Sequence, residues 1–276
     1  MSRFDTIVIV DWSGGNDRGA APKKDAIWAA VRRHGQGQDP VYLRNRALAE
    51  AWLDDLLTTE RTAGRRVLAG FDFPFGYPAG FARALTGSDA PGNVWAWFEA
   101  HVVDTPKANN RFALAGHINQ RLGAGQGPFW FSPGKTLVPG LPRTKTTYAN
   151  PFPEKRACEH LAKGAFTCWQ MGGAGAVGGQ VFTGLPVLER LRHAHNAAIW
   201  PFEPLTGDVA FVEVWPSLTV GAPPSDMIKD AWQVAEVARQ MATLPQARLA
   251  QMLEVDAPEE GWIFGLGFED ELRQAL

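Results

Sequence analysis

Residues 7–15 read IVIVDWSGG and combine a run of four β-branched residues with an acid and two glycines. A continuous apolar run of this kind is typical of a strand that is buried on both faces of a sheet. Gly14 and Gly15 then allow a tight turn. We therefore predict a buried strand over residues 4–12, with Asp11 at its carboxyl end.

The segments that follow predict an α/β fold. A predicted helix over residues 48–59 separates the third and fourth predicted strands, which implies a right-handed crossover and a parallel strand pair. A second amphipathic helix is predicted over residues 226–243, with Ser225 as its N-cap. After the first strand, the further strands are predicted over residues 25–33, 41–43, 66–73 and 209–215.

The region between the fourth and fifth predicted strands is rich in glycine, proline and aromatic residues. We predict short helices in it over residues 94–103 and 185–195. The sequence has no evident linker or internal repeat, so we interpret residues 79–205 as an elaborated insertion within one domain over residues 1–276. The resulting order, β-β-β-α-β-insertion-β-α, fits a ribonuclease H-like mixed sheet flanked by helices. The alternative is the actin-like fold, which uses the same core twice.

The composition limits the class of protein. With 45% hydrophobic and 20% charged residues the chain is an ordinary globular one, and its net charge of −2 gives no global sign of nucleic-acid binding. Cys158 and Cys168 match no zinc-site spacing and are expected to be reduced thiols. No apolar run suits a signal peptide or a membrane helix, so we predict a cytoplasmic protein without membrane contact.

Acidic residues lie at or near the ends of the predicted strands. Asp11 follows IVIV, Asp72 follows LAGF, and Glu213 lies in FVEVW. A carboxylate directly after an apolar run is costly to desolvate unless it is paired or binds a metal. If the first strand lies beside the fourth, at about 4.8 Å, Asp11 and Asp72 can share one hard cation or two. We therefore predict a Mg²⁺ or Mn²⁺ site at this edge.

Asp230 is predicted as a further metal ligand. At about 100° per residue it lies near the apolar stripe of the late helix, whose end can point at the strand ends. Glu213, roughly 10 Å from Asp11 between Cα atoms, is a candidate ligand, base or salt-bridged structural acid. Structural alternatives exist for the others: a cap of the Gly14–Gly15 turn for Asp11, a turn before a proline for Asp72, and a border residue for Asp230.

Four motifs resemble a family of uncharacterised proteins that are predicted ribonuclease H-like nucleases. The motifs are DWSGG, GFDFPFG, VEVWPS and KDAWQVAE, and they cover both ends of the chain but little of its middle. The resemblance implies catalytic roles for Asp11, Asp72, Glu213 and Asp230. The nuclease activity of that family is itself inferred from its fold.

Other segments are candidates for substrate binding. The glycine-rich residues 172–184 precede a predicted helix, so Gly173 and Gly175 can hold a phosphate, although a closely packed turn is the alternative. Arg143 and Lys145 lie in a basic, aromatic region suited to phosphate contacts and base stacking, or simply to a solvated surface. Lys23 follows the Asp11 loop and can reach a phosphate at the same edge.

These features predict a metal-dependent phosphodiester hydrolase, a nuclease, acting on nucleic acid or a nucleotide. One alternative is a nucleotide-binding phosphotransferase or ATPase of the actin-like class. Another is a non-catalytic binding protein that keeps the same fold. The sequence does not distinguish DNA, RNA, a nucleotide or a small phosphoester as substrate, and it does not give the oligomeric state.

Overall fold

The described residues form a seven-stranded mixed sheet, and the strand predicted over residues 4–12 lies in its interior. The computed structural model describes residues 3–123, 125–134, 137–173 and 175–275. The described chain divides into two units: the first comprises residues 1–73, 190–257 and 262–276, and the second comprises residues 74–189 and 258–261. The prediction of one domain with an insertion over residues 79–205 stays a prediction.

All strands of the sheet belong to the first unit. The strands are β1 (Thr6–Asp11), β2 (Ile27–Arg33), β3 (Gln36–Gly37), β4 (Val41–Leu43), β5 (Val67–Phe71), β6 (Ala198–Ile199) and β7 (Val209–Glu213). Their order across the sheet is β3-β2-β1-β5-β7-β6, and β4 pairs with β2. The β1–β2 pair is antiparallel, whereas the β1–β5, β5–β7 and β6–β7 pairs are parallel.

The predicted α/β class, a mixed sheet with helices, is therefore confirmed. Each predicted strand is present, and the first lies beside the fourth as predicted, since β1 pairs with β5 in parallel. The third predicted strand, β4, pairs with β2 and not with the fourth predicted strand. The two strands that were not predicted, β3 and β6, have two residues each. Segments that short carry no periodic pattern that a sequence could reveal.

Helices occur in both units. The first unit contains α1 (Arg46–Thr62), α7 (Lys229–Thr243), α8 (Gln246–Met252) and α9 (Glu269–Gln274). The second unit contains α2 (Phe81–Thr86), α3 (Pro91–His101), α4 (Arg111–Gly123) and α5 (Ala157–Leu161), and α6 (Val177–His195) continues from it into the first. Among the described helices, none has the length and apolar composition needed to cross a bilayer.

All four predicted helices are present, but none begins at the predicted residue; α1 and α3 begin two and three residues early. The Ser225 N-cap is wrong: α7 begins at Lys229, because the Met227 N–H donates to the Pro224 carbonyl and residues 225–226 form a turn. Helix α6 begins at Val177, eight residues before the predicted start. A Cβ on Gly178 would lie 2.5 Å from the Cys168 carbonyl oxygen, so glycine lets this helical turn pack closely against neighbouring backbone.

The two faces of the sheet bury different residues. Ile7, Ile9 and Val212 belong to a cluster that also contains Val234 and Ala238 of α7. Helix α7 therefore covers the face on which Ile9 and, two residues later in β1, Asp11 lie. The opposite face is aromatic near its carboxyl end, where the ring of Phe71 contacts those of Trp12 and Phe211.

Candidate functional site

The acids Asp11 and Asp72 lie at the same level of the sheet. Val10 of β1 is the register partner of Phe71 of β5, and the Asp72 N–H donates to the Val10 carbonyl at 3.0 Å. Each acid follows one of these partners directly. Because side chains at equivalent positions of parallel strands point to the same face, both carboxyl groups lie on the face that α7 covers.

The side chain of Glu213 lies on the other face of the sheet from the carboxyl pair. It is the register partner of Phe71, one residue before the level of Asp72. The strand pleat therefore directs its side chain to the opposite face, and Val214 is the β7 residue that joins the α7 face. Glu213 is buried, and its negative charge contributes to raising the pKa of Asp72.

Asp11 and Asp72 form a coupled pair. Burial raises the pKa of Asp72 to about 7, and the Glu213 and Asp230 charges add to this effect. Burial, followed by the Asp72 charge, raises the pKa of Asp11 well above its usual range. The hydrogen bond between the two groups raises the pKa of Asp11 and lowers that of Asp72. The two carboxyl groups therefore titrate as a pair, and a proton or a cation between them relieves their repulsion.

Asp230 lies in the first turn of α7 and joins two segments that are distant in sequence. Its Oδ2 accepts a hydrogen bond from the Asp25 N–H at 2.6 Å. The Asp25 carbonyl accepts one from the Ser13 hydroxyl at 3.1 Å. Burial raises the pKa of Asp230, and the bond from Asp25 opposes that effect. Asp230 thus anchors the loop after β1 to the start of α7.

Asp25 has an unusual backbone conformation. Its φ is +56°, in the left-handed region where aspartate is tolerated better than most residues. This conformation allows the N–H of Asp25 to bond to Asp230 while its carbonyl bonds to Ser13. Strained backbone of this type is concentrated at functional sites. No sequence signal marks the residue, because its role depends on a contact 205 positions away.

Two cationic residues, one near the pair and one on the loop after β1, were missed by sequence reasoning. The Lys229 charge acts to lower the pKa of both Asp11 and Asp72, so it lies within electrostatic reach of the two groups. Arg46 is buried and donates to the Ser13 carbonyl at 2.9 Å and to the Gly15 carbonyl. Lys229 could have been noticed as the neighbour of Asp230 in KDAW, whereas no motif marks Arg46.

The donor set suits a hard divalent cation. The pair offers carboxylate oxygens whose mutual repulsion a cation would relieve, and Mg²⁺ is usually held by one or two carboxylates together with waters and substrate phosphates. In the described part of the chain, no group of three or more His, Cys, Asp or Glu side chains is arranged to hold a metal. Asp11 and Asp72 therefore fit as a two-carboxylate site, with Asp230 engaged by the loop.

Lys23 belongs to the first unit, as the pair does. Its side chain is exposed, and its carbonyl accepts a hydrogen bond from Trp28 Nε1 at 3.0 Å, which fixes the backbone before β2. The neighbouring Lys24 acts to lower the pKa of Asp230. Positive charge therefore lies on the segment that approaches the start of α7, although a phosphate contact by Lys23 stays a prediction.

The basic residues predicted to bind substrate belong to the second unit. Lys145 Nζ lies 5.1 Å from the centre of the Trp130 ring and 4.9 Å from that of Tyr148. It also forms an ion pair with Glu154 at 2.6 Å. Arg143 donates to the Gly134 carbonyl. The predicted mixture of basic and aromatic side chains is therefore present around Lys145.

Gly173 and Gly175 precede α6 in the second unit, and Ala174 between them lies outside the described residues. Both have positive φ, +83° and +74°. A Cβ on Gly173 would lie 3.1 Å from the Phe131 ring, and one on Gly175 would lie 2.5 Å from the Phe166 ring. Backbone conformation and close packing explain both glycines, and phosphate binding stays a prediction.

The first unit therefore combines a coupled carboxyl pair, an anchored loop and nearby lysines at one edge of a sheet. Clustered acids with raised pKa values are characteristic of functional sites. Comparison of the chain with protein-family models, curated proteins and solved structures found no significant match, so the resemblance of its four motifs to a nuclease family stays a prediction.

Proposed function

We propose that the chain is a metal-dependent phosphodiester hydrolase built on a ribonuclease H-like core. The observation that carries this proposal is the meeting of Asp11 and Asp72, whose half-buried carboxyl groups lie within hydrogen-bonding reach at the carboxyl ends of adjacent parallel strands. The ribonuclease H-like core places its first strand beside its fourth. The pairing of β1 with β5, the fourth predicted strand, supports that assignment.

In this proposal Asp11 and Asp72 hold Mg²⁺ or Mn²⁺ at the strand ends. Such a cation, when bound, activates water and stabilises the leaving oxygen of an in-line displacement. Lys229 supplies positive charge near the same acids and is suited to contact a substrate phosphate. Asp230 holds the loop over residues 13–25 in place, and Glu213 adds negative charge from the other face of the sheet.

A nucleic acid or nucleotide is the proposed substrate class. The support comes from the second unit, where Lys145 lies beside Trp130 and Tyr148. A cation with neighbouring aromatic rings suits phosphate contacts combined with base stacking. Cys158 and Cys168 are buried free thiols, as is usual in a reducing compartment, which supports the cytoplasm as the proposed location.

A cleavage assay with matched variants tests the proposal. Purified protein is incubated with single-stranded DNA, RNA or a small chromogenic phosphodiester, with Mn²⁺ or with a chelator. We expect metal-dependent cleavage by the wild type and a loss of about 100-fold or more in Asp72→Asn, which removes an essential negative oxygen. Asp39→Asn changes an exposed acid outside the site and should cleave normally. Equal cleavage by Asp72→Asn, or undiminished cleavage in chelator, would overturn the proposal.

A further inference from the structure

A cavity of about 220 Å³ lies in the first unit at the end of β1 that is remote from Asp11. Its walls include Ile7 of β1 and Arg32 of β2, which are register partners. Helix α7 ends at Thr243, and Leu244 has an extended conformation. Pro245 cannot continue a helix, so the chain turns away before it has covered the end of the sheet. The cavity is the space that this early helix end leaves.

The floor of the cavity is apolar. It is formed by Ile7 of β1, by Phe4 just before that strand, and by Met241, Leu244 and Leu249 from α7 and the segment after it. Each of these side chains is less than a tenth exposed. Burying an apolar group of a ligand against such a surface removes both from water, which is favourable. The floor therefore suits the hydrocarbon part of a small molecule.

The rim of the cavity is polar and carries an excess of positive charge. Arg3, Arg32 and His34 line it, together with one acid, Asp5. Arg32 Nη1 donates to the carbonyl of the β2–β3 turn residue Gly35 at 2.8 Å, and a guanidinium has further donors beyond this one. Two arginines therefore face one carboxylate at the opening.

Both carboxylates near these arginines have other partners. Asp5 Oδ2 accepts a hydrogen bond from the Arg66 N–H at 2.9 Å, and Asp5 Oδ1 lies 3.9 Å from His34 Nδ1. Glu236, whose pKa Arg32 also helps to lower, accepts hydrogen bonds from Arg239 at 3.0 and 2.6 Å. The arginine charge at the rim therefore remains available to an anionic ligand.

We propose that this cavity binds a small carboxylate with a short apolar body. The carboxylate contacts the arginines of the rim, and the hydrocarbon part lies against the apolar floor. The volume of about 220 Å³ is below the roughly 300–1,000 Å³ typical of sites for drug-sized ligands, which limits the ligand to a short chain or a single ring. This site is separate from the carboxyl pair and does not depend on the proposed hydrolase activity.

A matched ligand series tests the charge requirement. Hexanoate, hexan-1-ol and hexylamine have the same chain length and differ in the charge of the head group. Each ligand is titrated into protein that carries ¹³C-labelled methionine methyl groups, and the methyl signals are followed by NMR. The signal of Met241 reports on the floor of the cavity and is assigned by its absence in Met241→Leu. We expect hexanoate to bind about tenfold more tightly than the alcohol, because its head group forms charge-assisted hydrogen bonds. Equal binding of the alcohol, tighter binding of the amine, or an unchanged Met241 signal would overturn the proposal.

Variants test the two parts of the site separately. Arg32→Gln should weaken hexanoate about tenfold and leave hexan-1-ol unchanged, whereas Arg44→Gln, at an arginine outside the cavity, should change neither. Ala242→Leu adds volume at the cavity wall and should weaken all ligands. If Ala242→Leu does not fold, Arg32→Gln still tests the proposal, because Arg32 is partly exposed and its replacement should be tolerated. Normal hexanoate binding by Arg32→Gln would contradict the proposal. Asp72→Asn should bind hexanoate normally, which separates this test from that of the hydrolase.

Discussion

Asp11 and Asp72 directly follow the register partners Val10 and Phe71, and their two carboxyl groups share a hydrogen bond. Two acids in a desolvated position on the same face of a sheet repel each other when both are ionised. The fold therefore brings together groups that oppose its stability in the absence of a cation. Such an arrangement is expected where function, and not stability, determines the residues.

The first prediction concerns the stability of the metal-free protein. The folded-state pKa of Asp72, about 7, lies above its ordinary value of 3.8. Protonation therefore stabilises the folded state fully below about pH 4, and this contribution is lost as the pH rises through 7. Since asparagine does not ionise, Asp72→Asn should be more stable than the wild type at pH 8 by about 1–3 kcal/mol. Urea unfolding with a chelator present measures the difference.

The same experiment has two internal controls. At pH 4 the difference between Asp72→Asn and the wild type should become small, and Asp39→Asn should match the wild type at both pH values. Added Mn²⁺ should stabilise the wild type, because a ligand that binds only the folded state shifts unfolding, and should have little effect on Asp72→Asn. A variant less stable than the wild type at pH 8 would contradict the electrostatic account.

The second prediction distinguishes the anchoring role of Asp230 from metal ligation. Asp230→Asn retains an oxygen that can accept the Asp25 N–H, whereas Asp230→Ala removes it. We expect faster hydrogen exchange of the Asp25 amide in Asp230→Ala, by about 5- to 30-fold for a loss of about 1–2 kcal/mol, and near-normal exchange in Asp230→Asn. Mn²⁺ affinity should be retained in Asp230→Asn. A large loss of Mn²⁺ affinity in that variant would instead make Asp230 a ligand.

Sequence reasoning found the carboxyl pair because its signals are local. The apolar runs before Asp11 and Asp72 predict buried strands. The order of elements, which fits a sheet with its first strand beside its fourth, predicts that these two strands are neighbours. The face of Glu213 could not be predicted in the same way. It depends on the register of β7 against β5, and a shift of one residue reverses the face.

Long-range hydrogen bonds and backbone contacts account for the remaining differences. The role of Asp25 arises from its bond to Asp230, and that of buried Arg46 from its bonds to the loop after β1. Neither partner is a neighbour in sequence. The early start of α6 likewise depends on the contact of Gly178 with the backbone around Cys168, which makes a glycine-rich segment helical where its composition favours a loop.

The third prediction concerns Gly70 of β5, where neighbouring side chains occupy the space that a Cβ would need. A Cβ on Gly70 would lie 2.7 Å from Val214 Cγ1 and 2.8 Å from Ile9 Cδ1. Gly70→Ala should therefore cost about 1–3 kcal/mol through overpacking, and the displaced strands should also weaken Mn²⁺ binding. Gly221→Ala is the matched control, since nothing lies within 4 Å of its Cβ position. Unchanged stability of Gly70→Ala would show that the two side chains can move aside.

The last prediction concerns Glu60, a buried acid on the face of the sheet opposite the one that α7 covers. Burial acts to raise its pKa, but hydrogen bonds from Arg65, Thr6 and Arg33 outweigh this effect and lower the pKa to about 2, below the ordinary 4.5. The bonds measure 2.6 Å from Arg65 Nε, 2.5 Å from the Thr6 hydroxyl and 2.7 Å from Arg33 Nε. The ionised group therefore stabilises the fold.

Because the folded pKa of Glu60 is lowered, its contribution is complete above pH 4.5 and is lost as the pH falls through about 2. Glu60→Gln should therefore reduce the free energy of unfolding by about 3 kcal/mol at pH 7. The difference from the wild type should shrink between pH 4.5 and 2, since glutamine does not titrate. Glu254→Gln, at an exposed acid, should show neither effect. A difference between Glu60→Gln and the wild type that stays constant down to pH 2 would mean that packing, and not the charge of Glu60, supplies the stability.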